Sequence, residues 1–494
     1  MKFDIWRIAR ILFQSLGATV VLAGDLGATE LTAGYLLDSN GNPVRTGTGL
    51  CIRTSYWTPA LAIGECDPDL VRKVAPVAAR PAAAPPAPAP PPPVKMGIDQ
   101  TSIRYPVWFA TNRKPTGDLK DCNKAYVATD PRAVRGDVSY GKCFVEIPAS
   151  HIPGTLQRSW CDRILKRNAD ITIQKELQSF ATFAAFLKDV KQTLASYSKK
   201  GKGGTSDVLV FIHGFNVTFQ EATLRAAQIG YDLRGSESVT ALYSWPSNPR
   251  NKKLWSLATG YTADEAAIEA SEEHIANFLL GLARGIGPKR VHIIAHSMGN
   301  RGLLRGLFGA VAKAELKGTM KFGKIFLAAP DVDAEVFSRL ARIYPRISER
   351  TTLYVSNEDK ALGLSDGVHA FTRAGFASPP QVSKGIDTID AAALPDNFLG
   401  QLGADTMDAV IQHSYYAKAA PILCDIRLTL SGEKAGTGSR KYLERRTIST
   451  TAQYWALPKQ LPQKGVCQDF QTDDKPQSGL IHEVARKYCD GLGR

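Results

Sequence analysis

Val291-His292-Ile293-Ile294-Ala295-His296-Ser297-Met298-Gly299-Asn300 is the stretch on which the reading of this chain turns. A short apolar run feeds a Ser set between small residues, and a helical pattern begins at Arg301. This is the layout of a nucleophile elbow, with Ala295 in the place of the first glycine. A sharp strand-to-helix turn strains the backbone at the nucleophile, and bulky residues two places to either side would clash. The turn lifts the hydroxyl out of the sheet. It also puts the next backbone N–H at a helix start, where it can stabilise a developing oxyanion. Ser297 is therefore the candidate nucleophile, and Met298 is one candidate oxyanion donor through its amide.

A second stretch fits beside it. Val208-Leu209-Val210-Phe211-Ile212 reads as a buried strand, and His213-Gly214-Phe215-Asn216 follows directly. In a sheet of this kind the loop after the third strand supplies the other oxyanion amide, and Phe215 is the candidate. Each such donor is worth ~3–4 kcal/mol in the transition state. Taken alone, His-Gly is equally a packed loop; ahead of a Ser elbow it gains meaning.

The acid and base should follow in the order Ser, Asp, His. Thr352 to Val355 signals a strand that ends in the acidic turn Ser356-Asn357-Glu358-Asp359, which makes Asp359 the candidate acid. Asp331 and Asp333, after the strand signal Ile325 to Ala329, are its rivals, Asp333 being the alternative acid. Their competing role is to cap a helix over Ala334 to Leu340. His413 is the candidate base, because it follows the last strand signal, within Gln381 to Ile389. His369 and His482 are the other imidazoles after the acid. Trp245, at the end of the strand Thr240 to Tyr243, is a candidate pocket wall, with loop packing an equal reading. Arg113, Tyr261 and Asp264 are weaker candidates, for which ordinary packing is an equal account.

Apolar strand signals alternate with helical patterns from Ile98 onward. Strands are expected over Val107 to Ala110 and Cys143 to Ile147, and helices over Phe219 to Leu233 and Ala263 to Leu282. Such alternation predicts a largely parallel sheet covered on both faces, an α/β architecture.

With 494 residues, 44% hydrophobic and 22% charged, the chain can form more than one globular unit. Its net charge of +14 favours anionic surfaces. The densest basic stretch, residues 440–446, is interrupted by Glu444, and no nucleic-acid motif is present. Residues 1–23 read as an export signal: Lys2, Arg7 and Arg10 precede an apolar stretch that ends in Val21-Leu22-Ala23. The expected location is the periplasm or cell envelope, with secretion as the alternative. Residues 24–71 form a small module with a hairpin signal at Asn40-Gly41. Residues 72–98 are an Ala/Pro-rich spacer. Eight cysteines in an exported chain permit full pairing, and Cys51 with Cys66 is the expected pair in the front module. No cysteine or histidine spacing suits a metal, and no cofactor motif is seen.

The segments Phe109-Ala110-Thr111-Asn112-Arg113, Phe211 to Asn216, Ser244-Trp245-Pro246-Ser247, Ala295 to Asn300, Ala328 to Asp333 and His413-Ser414-Tyr415 occur in this order. With them, residues 99–416 resemble a bacterial alpha/beta hydrolase family of unknown function within the esterase/lipase superfamily. The resemblance implies that fold and a Ser297-Asp359-His413 triad, and it names no substrate. The front module resembles the amino-terminal segment of porin-A-type outer-membrane proteins, which implies envelope association. Residues 417–494 are a Cys-bearing extension outside both resemblances. The expectation is a serine hydrolase that cleaves small acyl-ester or lipid-like substrates through an acyl-enzyme. The rival is an inactive envelope scaffold that keeps the fold.

Overall fold

The computed structural model describes residues 43–46, 51, 66, 102–126, 137–149, 151–154, 156, 170–199, 207–248, 254–313, 320–357, 372–376, 378–392, 394, 417, 419–450, 452–458 and 467. The chain divides into two compact units, Met1–Lys95 and Met96–Arg494. The expected export signal, the Asn40-Gly41 hairpin turn and the Ala/Pro spacer lie outside the described residues. In the first unit Arg45 bridges to Cys51, and Cys51 is bonded to Cys66, the pair expected from sequence.

The second unit is built on one sheet. Its described strands are β1 (Ile103–Thr111), β2 (Ser139–Ile147), β3 (Thr172–Phe180), β4 (Val208–Ile212), β5 (Val239–Ser244), β6 (Val291–His296), β7 (Phe322–Ala328), β8 (Ser348–Val355), β9 (Ile386–Asp390), β10 (Glu444–Ser449) and β11 (Ala452–Ala456). The described helices are α1 (Phe183–Lys199), α2 (Phe219–Arg234), α3 (Leu254–Ile286), α4 (Gly299–Ala312), α5 (Ala334–Leu340), α6 (Tyr344–Ile347) and α7 (Ala420–Leu430). Strand order is β10-β11-β9-β8-β7-β6-β4-β5-β1-β2-β3. The pairs β1–β2, β2–β3 and β10–β11 are antiparallel, and every other pair is parallel.

Burial on both faces explains the unbroken apolar runs. All five residues of β4 are buried. Alternate side chains point to opposite faces of a strand. Val208, Val210 and Ile212 join the core formed with α1, α3 and α4, while Leu209 and Phe211 join the core formed with α2 and α7. The parallel strands place their carboxyl ends along one edge. The chain turns back on itself between β4 and β6, which are neighbours, and that reversal point is where open α/β sheets form binding crevices.

The extension after residue 416 is not a separate body. Helix α7 packs in the core on the α2 side, and β11 adds to β9 through Trp455 beside Ile389. Asp425 and Arg440 form a wholly buried, two-pronged ion pair. Cys424 is bonded to Cys467, and Cys122 to Cys143. Among the described residues no cysteine is free, and no helix is long and apolar enough to cross a membrane.

Candidate active site

Ser297 follows β6 and precedes α4, and its φ of 50° lies in the left-handed region that side chains disfavour. Three things hold this strain. The Ser297 N–H donates to Ala328 O at 3.0 Å. Asn300 N–H and Asp331 N–H donate to Ser297 O at 3.0 and 3.3 Å. The Asn300 side-chain amide donates to Ala295 O, Ser297 O and Ala328 O. Gly299 is required because a Cβ there would strike the backbone oxygens of His213 and Ile212. The elbow helix therefore begins hard against the end of β4.

The loop after β4 rests on the nucleophile. A Cβ on Gly214 would come within 2.9 Å of both Ser297 Cβ and His296 Nδ1. The two candidate donors, Phe215 and Met298, flank this contact. Among the described residues neither backbone N–H has a hydrogen-bond partner. Downstream, a Thr218–Glu221 capping box starts α2 and fixes the loop's exit.

A buried polar network supports the loop from below. Asp264, on α3, accepts hydrogen bonds from Asn216 N–H (3.1 Å), Asn248 N–H (2.8 Å) and the Ser247 hydroxyl. Burial raises its pKa against the effect of those donors and of Arg113. Arg113 donates to Ser244 Oγ (2.8 Å), Ser247 O (2.7 Å) and Val217 O (2.8 Å), and its NH2 group lies 3.3 Å from His213 Nε2. Burial, reinforced by the Arg113 cation, lowers the His213 pKa to about 3, so the ring is neutral. Trp245 donates to His213 O at 2.8 Å and stacks on the His213 ring at 5.0 Å. Trp245 is fully buried and braces the loop, in keeping with the packing role the sequence also offered.

Asp333 accepts from Val336 N–H and caps α5, the competing role the sequence offered. Its neighbour Asp331 is tied to Tyr261 through a 2.6 Å hydrogen bond and lies 3.7 and 3.4 Å from the Arg301 and Arg373 guanidinium groups. The Tyr261 ring packs on Phe215. Arg301 and Arg373 were not candidates from sequence. Arg301 is the first residue of the helical pattern after the elbow, but nothing in sequence tells a buried arginine from a solvated one. Arg373 belongs to no recognisable motif.

Asp359 and His413, with Glu358, His369 and His482, lie outside the described residues. What is described is where the chain leaves for them. β8 and β9 run parallel to β6, so their ends at Val355 and Asp390 lie along the edge that carries Ser297. The chain returns from the His413 segment at Ala417, whose carbonyl accepts from the Gln228 side chain of α2 at 3.0 Å. Among the described residues no cluster of side chains suits a metal ion.

Comparison with known proteins adds to this geometry. Residues 188–430 match the model of a family described as "Alpha/beta hydrolase of unknown function (DUF900)". Similar solved structures include a hormone-sensitive lipase from a metagenome library, at 11% identity over 59% of this chain and 79% of that one (TM-score 0.23). An esterase from Pyrobaculum calidifontis is 11% identical over 42% of this chain and 75% of its own (TM-score 0.21). A second metagenomic hormone-sensitive-lipase homologue is 12% identical over 59% and 79% (TM-score 0.21). No curated protein matches the chain. The family match and the sheet topology identify the fold as that of the alpha/beta hydrolases.

Proposed function

We propose that this chain is a serine hydrolase that cleaves carboxylic esters. The observation that carries the reading is the strained Ser297, held under the Gly214 loop between two backbone amides that have no partner among the described residues. Such strain persists only where the surroundings enforce it, and it clusters at reactive positions. In the proposed reaction Ser297 Oγ attacks the acyl carbon and its proton passes to His413. Phe215 and Met298 N–H groups hold the oxyanion. The carbon–oxygen bond to the leaving alcohol breaks as His413 returns the proton to that oxygen. Water, deprotonated by His413, then releases the acid. Asp359 orients His413 and stabilises its charged form.

The same reading places the protein in the cell envelope. Support comes from three disulfides among the described residues, which persist in oxidising compartments. The test of activity is hydrolysis of short p-nitrophenyl esters together with labelling by a fluorophosphonate probe. Both should vanish in Ser297→Ala. Hydrolysis that survives this substitution would remove Ser297 from its role, and a folded wild-type protein that neither hydrolyses nor labels would leave the fold without this function.

A further inference from the structure

We infer that Arg113 is a positioning residue for ester hydrolysis: acting through His213, it sets the direction of the Gly214–Phe215 peptide and so aims the Phe215 N–H at the oxyanion. The inference rests on the reading of Ser297 as nucleophile.

The argument runs through one peptide plane. In a trans peptide the C=O and the following N–H point in opposite directions. The Gly214 carbonyl lies 2.9 Å from His213 Nδ1. The Phe215 N–H, on the far side of the same plane, therefore points away from the imidazole. A carbonyl can only accept, so the bond exists only in the tautomer that carries its proton on Nδ1. Nε2 must then be bare. Arg113 enforces this, because a guanidinium has donors and no acceptor, and its NH2 group faces Nε2 at 3.3 Å. A proton on Nε2 would set N–H against N–H. The Ser244 hydroxyl, also 3.3 Å from Nε2, takes the Arg113 Nε–H at 2.8 Å and keeps its own hydrogen for the ring.

The ring has no freedom to escape this arrangement. Trp245 stacks on it at an interplanar angle of 12° and holds the His213 carbonyl. Arg113 is itself fixed by Val217 O, directly after the loop, and by Ser247 O, after β5. It comes from the end of β1, remote in sequence from the loop it serves. A residue that merely filled this space would need neither a donor-only head nor contact with the imidazole nitrogen.

Two measurements on the full-length protein test this. The first uses the wild type: 15N spectra of the imidazoles, with the His213 signals identified by their loss in His213→Gln, should show the proton on Nδ1. The second compares Arg113→Met with wild type on a p-nitrophenyl ester. The expected result is a kcat lower by about 10- to 100-fold, with KM changed by less than about threefold, somewhat less than the loss of an entire oxyanion donor. A wild type that hydrolyses esters but holds the His213 proton on Nε2 overturns the inference. So does a folded Arg113→Met with unchanged kcat, or with its loss confined to KM. If that variant fails to fold, the wild-type tautomer decides alone. An inactive, unlabelled wild type would instead overturn the serine-hydrolase reading, and this inference with it.

Discussion

Replacing Arg440 by Met should be among the most costly single changes in this chain. Arg440 and Asp425 are both wholly buried, with Nε to Oδ1 and NH2 to Oδ2 at 2.9 Å each. Tyr354, on β8, and Tyr442 also donate to the Asp425 carboxylate, at 2.7 and 3.2 Å. Removing one partner of a buried pair leaves an uncompensated charge and typically costs about 3–5 kcal/mol. Removing both charges, as in Asp425→Leu with Arg440→Met, costs less than the two single changes summed. The penalty left is chiefly the Tyr354 and Tyr442 hydroxyls deprived of an acceptor, about 1–3 kcal/mol each where buried. The two single changes should therefore be far from additive, with a coupling of about 2–4 kcal/mol. Urea unfolding followed by tryptophan fluorescence, with linear extrapolation, measures each corner of the cycle. A single variant that costs less than about 1 kcal/mol, or singles that simply add, would refute the idea that this buried pair holds the carboxy-terminal extension together beneath β8.

Gly299→Ala should destabilise the protein by about 1–3 kcal/mol and cut ester hydrolysis at least tenfold, since its Cβ meets backbone that cannot rotate away; wild-type melting and kcat would contradict this. Glu272, on α3, has a pKa raised from 4.5 to about 7, chiefly by burial, with Glu269 adding to the rise and Arg305 opposing it. Between those values the native state binds more protons than the unfolded state, so this group's contribution to stability declines as pH rises from 4.5 to about 7 and stays lost above. Glu272→Gln should accordingly raise the melting temperature at pH 8 and flatten the slope in that window, and an unchanged slope would count against it. Replacing Cys424 and Cys467 together by Ser opens a link between residues 43 apart. Loop entropy puts the cost at about 4 kcal/mol, and a loss below about 1 in urea unfolding would contradict that account.

The central sheet was legible because its strands are buried on both faces and so read as apolar runs. Val208 to Ile212 and Val291 to Ala295 were located to within a residue. The edges were not. In β3, Thr172-Ile173-Gln174-Lys175-Glu176-Leu177-Gln178-Ser179-Phe180, no residue is fully buried, and in β10 every residue is exposed. Neither strand has a core to declare it, and pairing with a neighbour leaves no trace in composition. The elbow and the loop at His213 were readable for a different reason: Gly214 and Gly299 mark places where backbone must approach backbone. The arginines were unreadable, because whether Arg113, Arg301 or Arg440 is buried depends on partners far away in sequence. Sequence could not choose between the two readings of Trp245 on the same ground, since its place under the loop follows from His213 and not from its own strand.

The topology explains why the candidate site falls where it does. β4 and β6 are neighbours, yet the helices that follow them, α2 and α4, pack on opposite faces. The two loops must diverge at their roots, and the amides of Phe215 and Met298 come one from each side of that divergence. The remaining members of the proposed triad leave from β8 and β9. Those strands are held from beyond by the extension: β8 by Tyr354 on Asp425 and Arg350 on the Glu433 carbonyl, β9 by β11. The segment after residue 416 thus braces the strands that lead towards the proposed acid and base, and the Asp425–Arg440 pair holds α7 to the turn after it beneath Tyr354. The extension is therefore part of the sheet's support, and loss of its stability should be accompanied by loss of the proposed ester hydrolysis.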